Sequence, residues 1–348
     1  MFSTISDPYL QVALVAGVAA LCLTFSIALL IVALRLRLRS DEARWQAFVA
    51  RWRPLLLATM LAPQSVPLPP LARRDHSRFL RLWTYLHESV RGDANDRLNE
   101  AALVLRLDQT VRRLLKRGSR SQQLQAILAA GYLKDRSAWT TLQSMAASRD
   151  GLVSVNAARA LIRIDPLAGA QYLTPLILAR HDWDVTRVAV FLADARDAFW
   201  LLLIRSLPST NVRELPRALA LAEALRLQLP VATLRCLLGA GQVPSVVYGA
   251  LRLAASAELV NEVRSSLSHP IAEVRVEAAL AMARVGGPPD VRRLEALLDD
   301  AQWPVRLAAS QALFSLPFLT TAQLAAMERE GRAGNDVLRQ AVAEREWA

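Results

Sequence analysis

The sequence predicts an all-α chain, with a single N-terminal transmembrane helix followed by an α-solenoid of stacked helix pairs. Three observations carry that prediction. Leu10 to Leu34 is a run of 25 residues without a charge. Glycine is scarce, 13 of 348 residues, while Leu, Ala and Arg abound, which favours helix over sheet. From about residue 120 an alanine-rich pattern returns at intervals of roughly 31 residues, the mark of a repeat architecture.

The first element follows from length. At 1.5 Å per residue the uncharged run makes a helix of roughly 37 Å, enough for a hydrocarbon core of about 30 Å with some tilt. A cleaved signal peptide would begin with a basic segment and end at a small-residue site. Here Met1 to Leu10 carries Asp7 and no Lys or Arg, and the run ends in Arg35, Arg37 and Arg39. The expectation is an uncleaved anchor: residues 1–9 a short extracytoplasmic tail, residues 10–34 the span. Within it Ala16, Ala20, Thr24 and Ala28 recur every four residues, spacing that suits either a packing face for another helix or a lone lipid-facing helix.

Charge sets the orientation. Arg35, Arg37, Arg39, Arg44, Arg51 and Arg53 follow the span and no basic residue precedes it, so the tail should face out and residues 35–348 should lie in the cytoplasm. The two cysteines, Cys22 in the span and Cys236 far away, exclude a disulfide scaffold and fit a reducing compartment. The net charge of +11 is local: residues 35–120 hold 18 Lys+Arg against 8 Asp+Glu, residues 121–348 hold 24 against 22. That pattern points to anionic lipid headgroups beside the span and away from nucleic acid, which calls for a basic stripe along a whole binding surface.

Residues 35–61 read as a basic juxtamembrane helix. Trp45, Phe48, Val49 and Trp52 share one face and Arg44, Arg51 and Arg53 lie off it, as in an interfacial helix or a helix packed on the domain behind it. On the first alternative Arg35, Arg37, Arg39, Trp45, Arg51, Trp52 and Arg53 form the membrane-interface set. Pro63, Pro67, Pro69 and Pro70 make residues 62–76 an extended linker. Then Phe79, Trp83, Leu86 and Val90 mark a helical face, Gly92-Asp93 punctuates it, and Leu98 to Lys116 supplies another helix. Residues 77–348 are assigned to the solenoid.

The repeat is clearest where Val274-Arg275 with Ala278, Ala281 and Met282 matches Val305-Arg306 with Ala309, Ala312 and Leu313. The same frame starts at Val153, Val185 and Val246, and more weakly at Gln122, Val212 and Val337. Leu294, Leu297 and Leu298 precede Val305 at the offsets by which Leu142, Met145 and Ala146 precede Val153, so each unit is two short helices. Turns fall at Asp150-Gly151, His181-Asp182, His269-Pro270 and Asp299-Asp300, and Pro304 sits in a first turn, where its missing N–H is tolerated. One such unit cannot bury its apolar face alone, so the units must stack.

Over roughly residues 120–348 this motif resembles HEAT repeats, in the short variety of phycobilin-lyase-like proteins, and anchor plus solenoid resembles bacterial membrane-anchored HEAT proteins. Ser154, Thr186 and Val247 replace the family's arginine and Pro216 an alanine. The resemblance implies a right-handed solenoid in the bacterial inner membrane that acts as a scaffold for a protein partner, with envelope polysaccharide or glycosyltransferase machinery as the client by analogy. It also implies an alternative, an enzyme of the bilin lyase or isomerase kind; nucleic-acid binding is a third.

The residues themselves offer little chemistry. His76, His87, His181 and His269 form no ligand-spaced motif, no phosphate loop occurs, Gly286-Gly287-Pro288-Pro289 reads as a turn, and Cys236 among leucines reads as a buried hydrophobe. No enzyme activity, cofactor, metal or small-molecule substrate is expected. The candidate partner-binding residues are Trp183 and Trp303, each two residues before its anchor valine, with Arg275 and Arg306. The tryptophans are either binding hot spots or plugs of the inter-repeat turns, and the arginines, with Arg213, either partner contacts or ion pairs to the neighbouring unit.

Overall fold

A computed structural model describes residues 8–61, 67–90, 92–320 and 323, with side chains from Ala16 onward. The predicted outer tail before residue 8, the start of the linker at 62–66 and the weak repeat at Val337 and Ala341 lie outside the described residues. Every regular element among the described residues is helical. The chain divides into two compact units, one ending at Asp135 and one beginning at Arg136.

The first unit holds α1 (Pro8–Leu61), α2 (His76–Ser89), α3 (Asp93–Val104), α4 (Leu107–Arg117) and α5 (Arg120–Tyr132). Helix α1 is 54 residues long and includes both the predicted span and the predicted juxtamembrane helix without a break. Residues 35–53 contain neither Gly nor Pro, so nothing in them stops a helix, and Pro54 lies inside it. Its upper part is long and apolar enough to cross a membrane and is not covered by protein. Its lower part is core: Phe48, Trp52, Leu56 and Met60, four residues apart, are buried where α1 packs on α2 and α3. Trp52 meets Phe79 edge-on at 5.0 Å. Arg97 donates to the carbonyls of Met60 (2.6 Å) and Leu61 (3.1 Å), capping the C-terminus of α1.

The helix expected over Leu98–Lys116 is two helices. Arg106 adopts a left-handed conformation (φ 53°) and turns the chain between α3 and α4, with no Gly or Pro in the sequence to announce it. Of the linker, residues 67–72 are irregular and Arg73–Asp75 form a single 3-10 turn. Helix α5 buries Ala126, Ile127, Ala129 and Ala130, the spacing expected from Gln122.

Among the described residues the second unit is an α-solenoid of helices that follow one another in six consecutive pairs: α6 (Trp139–Ala146) and α7 (Gly151–Ile164), α8 (Pro166–Ala179) and α9 (Val185–Leu192), α10 (Arg196–Ser206) and α11 (Leu215–Ala224), α12 (Val231–Leu238) and α13 (Pro244–Leu253), α14 (Val260–Ser266) and α15 (Ala272–Val285), and α16 (Val291–Leu297) and α17 (Trp303–Ser315). The second helices pack on one another in sequence, α7 on α9 through to α15 on α17. Asp150 and Asp184 cap the N-termini of α7 and α9 through their side chains.

Burial defines the repeat more regularly than the motif does. In α15, Val274, Ala278, Ala279, Ala281, Met282 and Val285 are buried, and α17 repeats this from Val305 to Leu316, α7 from Val153 to Ile164. The same spacing runs through α9 counted from 184 (Val188, Ala189, Phe191, Leu192, Ala195) and α11 counted from 214 (Ala218, Leu219, Leu221, Ala222, Leu225). In α13, counted from 243, Val247, Ala250, Leu251 and Ala254 occupy it. The starts are therefore 153, 184, 214, 243, 274 and 305, which corrects the frames expected at Val185, Val212 and Val246. The physical reason is that residues 184, 214 and 243 are themselves N-caps, so these helices start later relative to the frame, and Val212 lies exposed in the turn before α11.

Candidate functional site

In a row of helix pairs a partner can reach only the side chains that the pairs do not use to hold each other. Arg275 and Arg306, one residue after the buried anchors Val274 and Val305, both fold back over the turn that precedes their own helix. Arg275 donates to the carbonyls of His269 (2.8 Å) and Pro270 (3.2 Å), Arg306 to those of Asp300 (2.8 Å) and Ala301 (3.3 Å). Arg275 also forms a two-pronged ion pair with Asp300 of the following pair, at 2.8 and 2.9 Å. That guanidinium holds the Asp300 carboxyl below the usual carboxylate range. A second rung runs along the first helices: Arg264 grips the buried Asp290 at 2.6 and 3.0 Å, and this pair likewise lowers the acid's pKa. Arg235 makes a single bond to Glu262 of the following pair at 2.7 Å and reaches the Glu258 carbonyl with its other prong.

The middle pairs use other residues. Trp183 is 1% exposed, and its indole N–H donates to Ser154 Oγ at 2.9 Å, in the slot where Arg275 and Arg306 stand in later repeats. Arg217 is buried and donates to the carbonyls of Ile177 and Trp183, both at 2.6 Å. Burial pushes its pKa down, an effect opposed by Asp182 and Asp184. The outward faces of α11, α13 and α15 carry a polar chain. Arg252 contacts Glu223 (2.9 Å) and the Tyr248 hydroxyl (3.1 Å), while burial raises the pKa of nearby Glu277. A surface cavity of about 430 Å³ opens beside this chain, lined by Glu223, Arg226, Leu227, Leu229, Leu234 and Arg252.

A profile of the family HEAT repeats matches residues 240–313, which take in α13, α15 and most of α17, with the braces of Arg275 and Arg306. This chain carries HEAT repeats. No curated protein matches the chain. A HEAT unit is a helical building block of interaction scaffolds, and the match falls where the buried register and the Arg–Asp rungs are most regular.

Against the HEAT frame the predicted partner-binding residues separate. Trp183 is sealed inside the unit and has no surface to offer a partner, because its slot faces Ser154 of the preceding pair. Arg275 is spent on Asp300 and two carbonyls, which serves the stack, and Arg306 on two carbonyls of its own turn. Trp303 alone remains open, 48% exposed at the start of α17. Arg213 is exposed in the turn before α11.

The predicted membrane-interface set separates as well. Arg35, Arg37, Arg39, Arg51 and Arg53 are exposed on α1. Trp52 is 4% exposed, in the core with Phe79, so it cannot reach a headgroup layer. Trp45 is half-buried, with the Arg81 guanidinium 4.6 Å from its ring centre. Because α1 is continuous, Arg51 and Arg53 stand about 25 Å along the helix from Leu34, while Arg35, Arg37 and Arg39 stand within about 8 Å of it. Only the first three fall at headgroup depth if α1 stands upright.

The remaining reactive side chains do not converge. Cys236 is exposed on α12, not buried as its leucine neighbours suggested. His76 bonds Thr110 (3.2 Å), and His87 lies between the rings of Trp83 (4.2 Å) and Tyr132 (4.8 Å). Among the described residues no three His, Cys, Asp or Glu side chains are grouped to hold a metal ion. What sequence reasoning missed was the Arg217 brace, whose only signal was a cation at a position that the correct register makes inward-facing.

Proposed function

We propose that the chain is a non-enzymatic, single-pass membrane protein whose HEAT solenoid holds a partner protein at the cytoplasmic face of the bacterial inner membrane. One observation supports this above others: α1 leaves its apolar stretch and continues as a single helix into the core of the first unit. A helix shared between span and domain fixes the domain to the bilayer more rigidly than a flexible tether would, which suits a platform. The arginines after the span, with none before it, favour the cytoplasmic orientation. Envelope polysaccharide or glycosyl-transfer machinery is the client class that the resemblance suggests.

Crosslinking in native membranes followed by purification in mild detergent tests the reading. The expected result is a defined partner recovered in proportion to the chain; recovery of the chain alone in every preparation would contradict it.

A further inference from the structure

Helix α4 has an unusual outward face. Leu107, Thr110, Val111 and Leu115 are buried, while Arg106, Gln109, Arg113, Lys116 and Arg117 are exposed. Positions 109, 113 and 116–117 fall on one ridge of the helix, and Arg106 precedes that ridge as the N-cap, the whole running about 17 Å from 106 to 117 at 1.5 Å per residue. Ridge and N-cap together carry four cations and no carboxylate. The acid of α4, Asp108, lies off the ridge and is held by Arg112, which also reaches Asp135 at 3.2 Å. No described side chain bonds Arg106, Arg113, Lys116 or Arg117. Arg73 faces the same ground: after burial, Arg113 and Arg73 are what hold the His76 imidazole below its ordinary value, with Asp75 opposing them. At the N-terminal end of the ridge the left-handed Arg106 turns the chain, leaving Leu103 55% and Val104 73% exposed. A row of uncompensated cations thus ends in an aliphatic knob.

We propose that this ridge docks an acidic segment of a partner protein, its carboxylates along Arg106, Arg113, Lys116 and Arg117 and an apolar side chain against Leu103 and Val104. The inference rests on the scaffold reading and names the surface and partner chemistry for it. Charge complementarity selects an acidic occupant, and guanidinium forks pair with carboxylates in two-pronged geometry. A lipid surface fits less well. The first unit begins its packing at Trp45, where Arg81 meets the ring, so about 16 Å of α1 separates Leu34 from it, more than the headgroup layer of roughly 5–8 Å. Nucleic acid fits less well too, since Leu103 and Val104 offer nothing to a phosphate backbone.

The test uses the full chain in nanodiscs of phosphatidylcholine. The probe is a fluorescein-labelled peptide of alternating Glu and Asp ending in two leucines; the comparison probes are the same acidic peptide without the leucines, its Lys counterpart and a single-stranded oligonucleotide. The acidic peptide should bind with an affinity that falls as salt rises. The triple variant Arg113→Glu/Lys116→Glu/Arg117→Glu should weaken it by about tenfold or more, and the Gln version of the same triple by less. Leu103→Ser/Val104→Ser should weaken only the peptide that carries leucines. Circular dichroism of each variant should match the parent, because every substituted side chain is exposed. Equal binding by parent and triple variant would overturn the proposal, as would tighter binding of the oligonucleotide, or protection of α4 from modification only in discs containing phosphatidylglycerol. Crosslinking of parent and triple variant in native membranes separates the two failures. A partner captured equally by both sinks the ridge and leaves the scaffold; no partner on either sinks the scaffold reading itself.

Discussion

Two stretches of the solenoid solve one packing problem with different residues. From α12 to α17 the anchors Val274 and Val305 are buried, and Arg275, Arg264 and Arg235 reach acids in the next pair. From α8 to α11 the anchor slots hold Asp184 and Glu214, and the bracing passes to Trp183 and to Arg217, which reaches back to α8. Yet the buried positions keep the same spacing in both. The small apolar side chains of the second helices therefore set the repeat, while the arginine motif is one of several ways to satisfy the turns between helices.

The contrast can be broken or sharpened by substitution. The largest effect belongs to the corrected register. Leu221→Ala in α11 empties a fully buried slot and should cost about 2–5 kcal/mol, whereas Val212→Ala, exposed in the preceding turn, should stay within about 0.5 kcal/mol. Chemical denaturation of both variants decides it, and similar losses would restore the frame at Val212. Next comes the brace. Arg217→Ala leaves the carbonyls of Ile177 and Trp183 without their donor and should cost about 2–4 kcal/mol; Arg306→Ala, whose carbonyls can reach water, should cost about 1 kcal/mol. Thermal melts giving the two an equal loss would show that the middle pairs have no special dependence on one arginine.

Acid should act on the matched repeats first. Asp290 and Asp300 titrate below the ordinary carboxylate value near 4, so the unfolded chain binds more protons than the folded one in that range. Their contribution is complete above about pH 4 and is lost as pH falls below it. Hydrogen exchange in α15 and α17 should rise on acidification, and Asp300→Asn should flatten that response; exchange that rises equally in α11 would argue against it. His76 in the first unit has the opposite chemistry and the same direction. With its pKa lowered, its neutral form favours folding, so stability should decline as pH drops below about 6.5, and His76→Gln should remove that slope. The smallest effect is at Trp303: Trp303→Ala should change stability by no more than about 0.5 kcal/mol, leaving any larger consequence to appear in partner binding.

The sequence revealed those parts of the fold whose signals are local. The span needs only 25 uncharged residues, and the pairs at Val153, Val274 and Val305 declare themselves because a buried valine stands at the head of each frame. The middle frames were misread because Ala and Leu are so common that a frame moved by one to three residues still finds apolar side chains, and Val212 supplied a false anchor. Sites were less legible, for a related reason. Trp183 looks like an exposed turn residue until Ser154 of the preceding pair is placed beneath it, and Trp52 looks interfacial until Phe79 is placed against it. Both partners are distant in sequence, and periodicity carries no information about them. The left-handed turn at Arg106, with the basic ridge and aliphatic pair it sets side by side, had no sequence signal at all.

The two cysteines allow the central claim, a solenoid tethered on the cytoplasmic side by a membrane-spanning α1, to be tested in the unaltered protein. Cys22 lies in the apolar part of α1 and Cys236 is exposed on α12. A membrane-impermeant maleimide applied to intact bacterial spheroplasts should label neither. Applied to inside-out vesicles it should label Cys236 alone, and Cys22 should react only after detergent removes the lipid. Labelling of Cys236 from outside would reverse the topology, and labelling of Cys22 in sealed vesicles would show that α1 does not span the membrane.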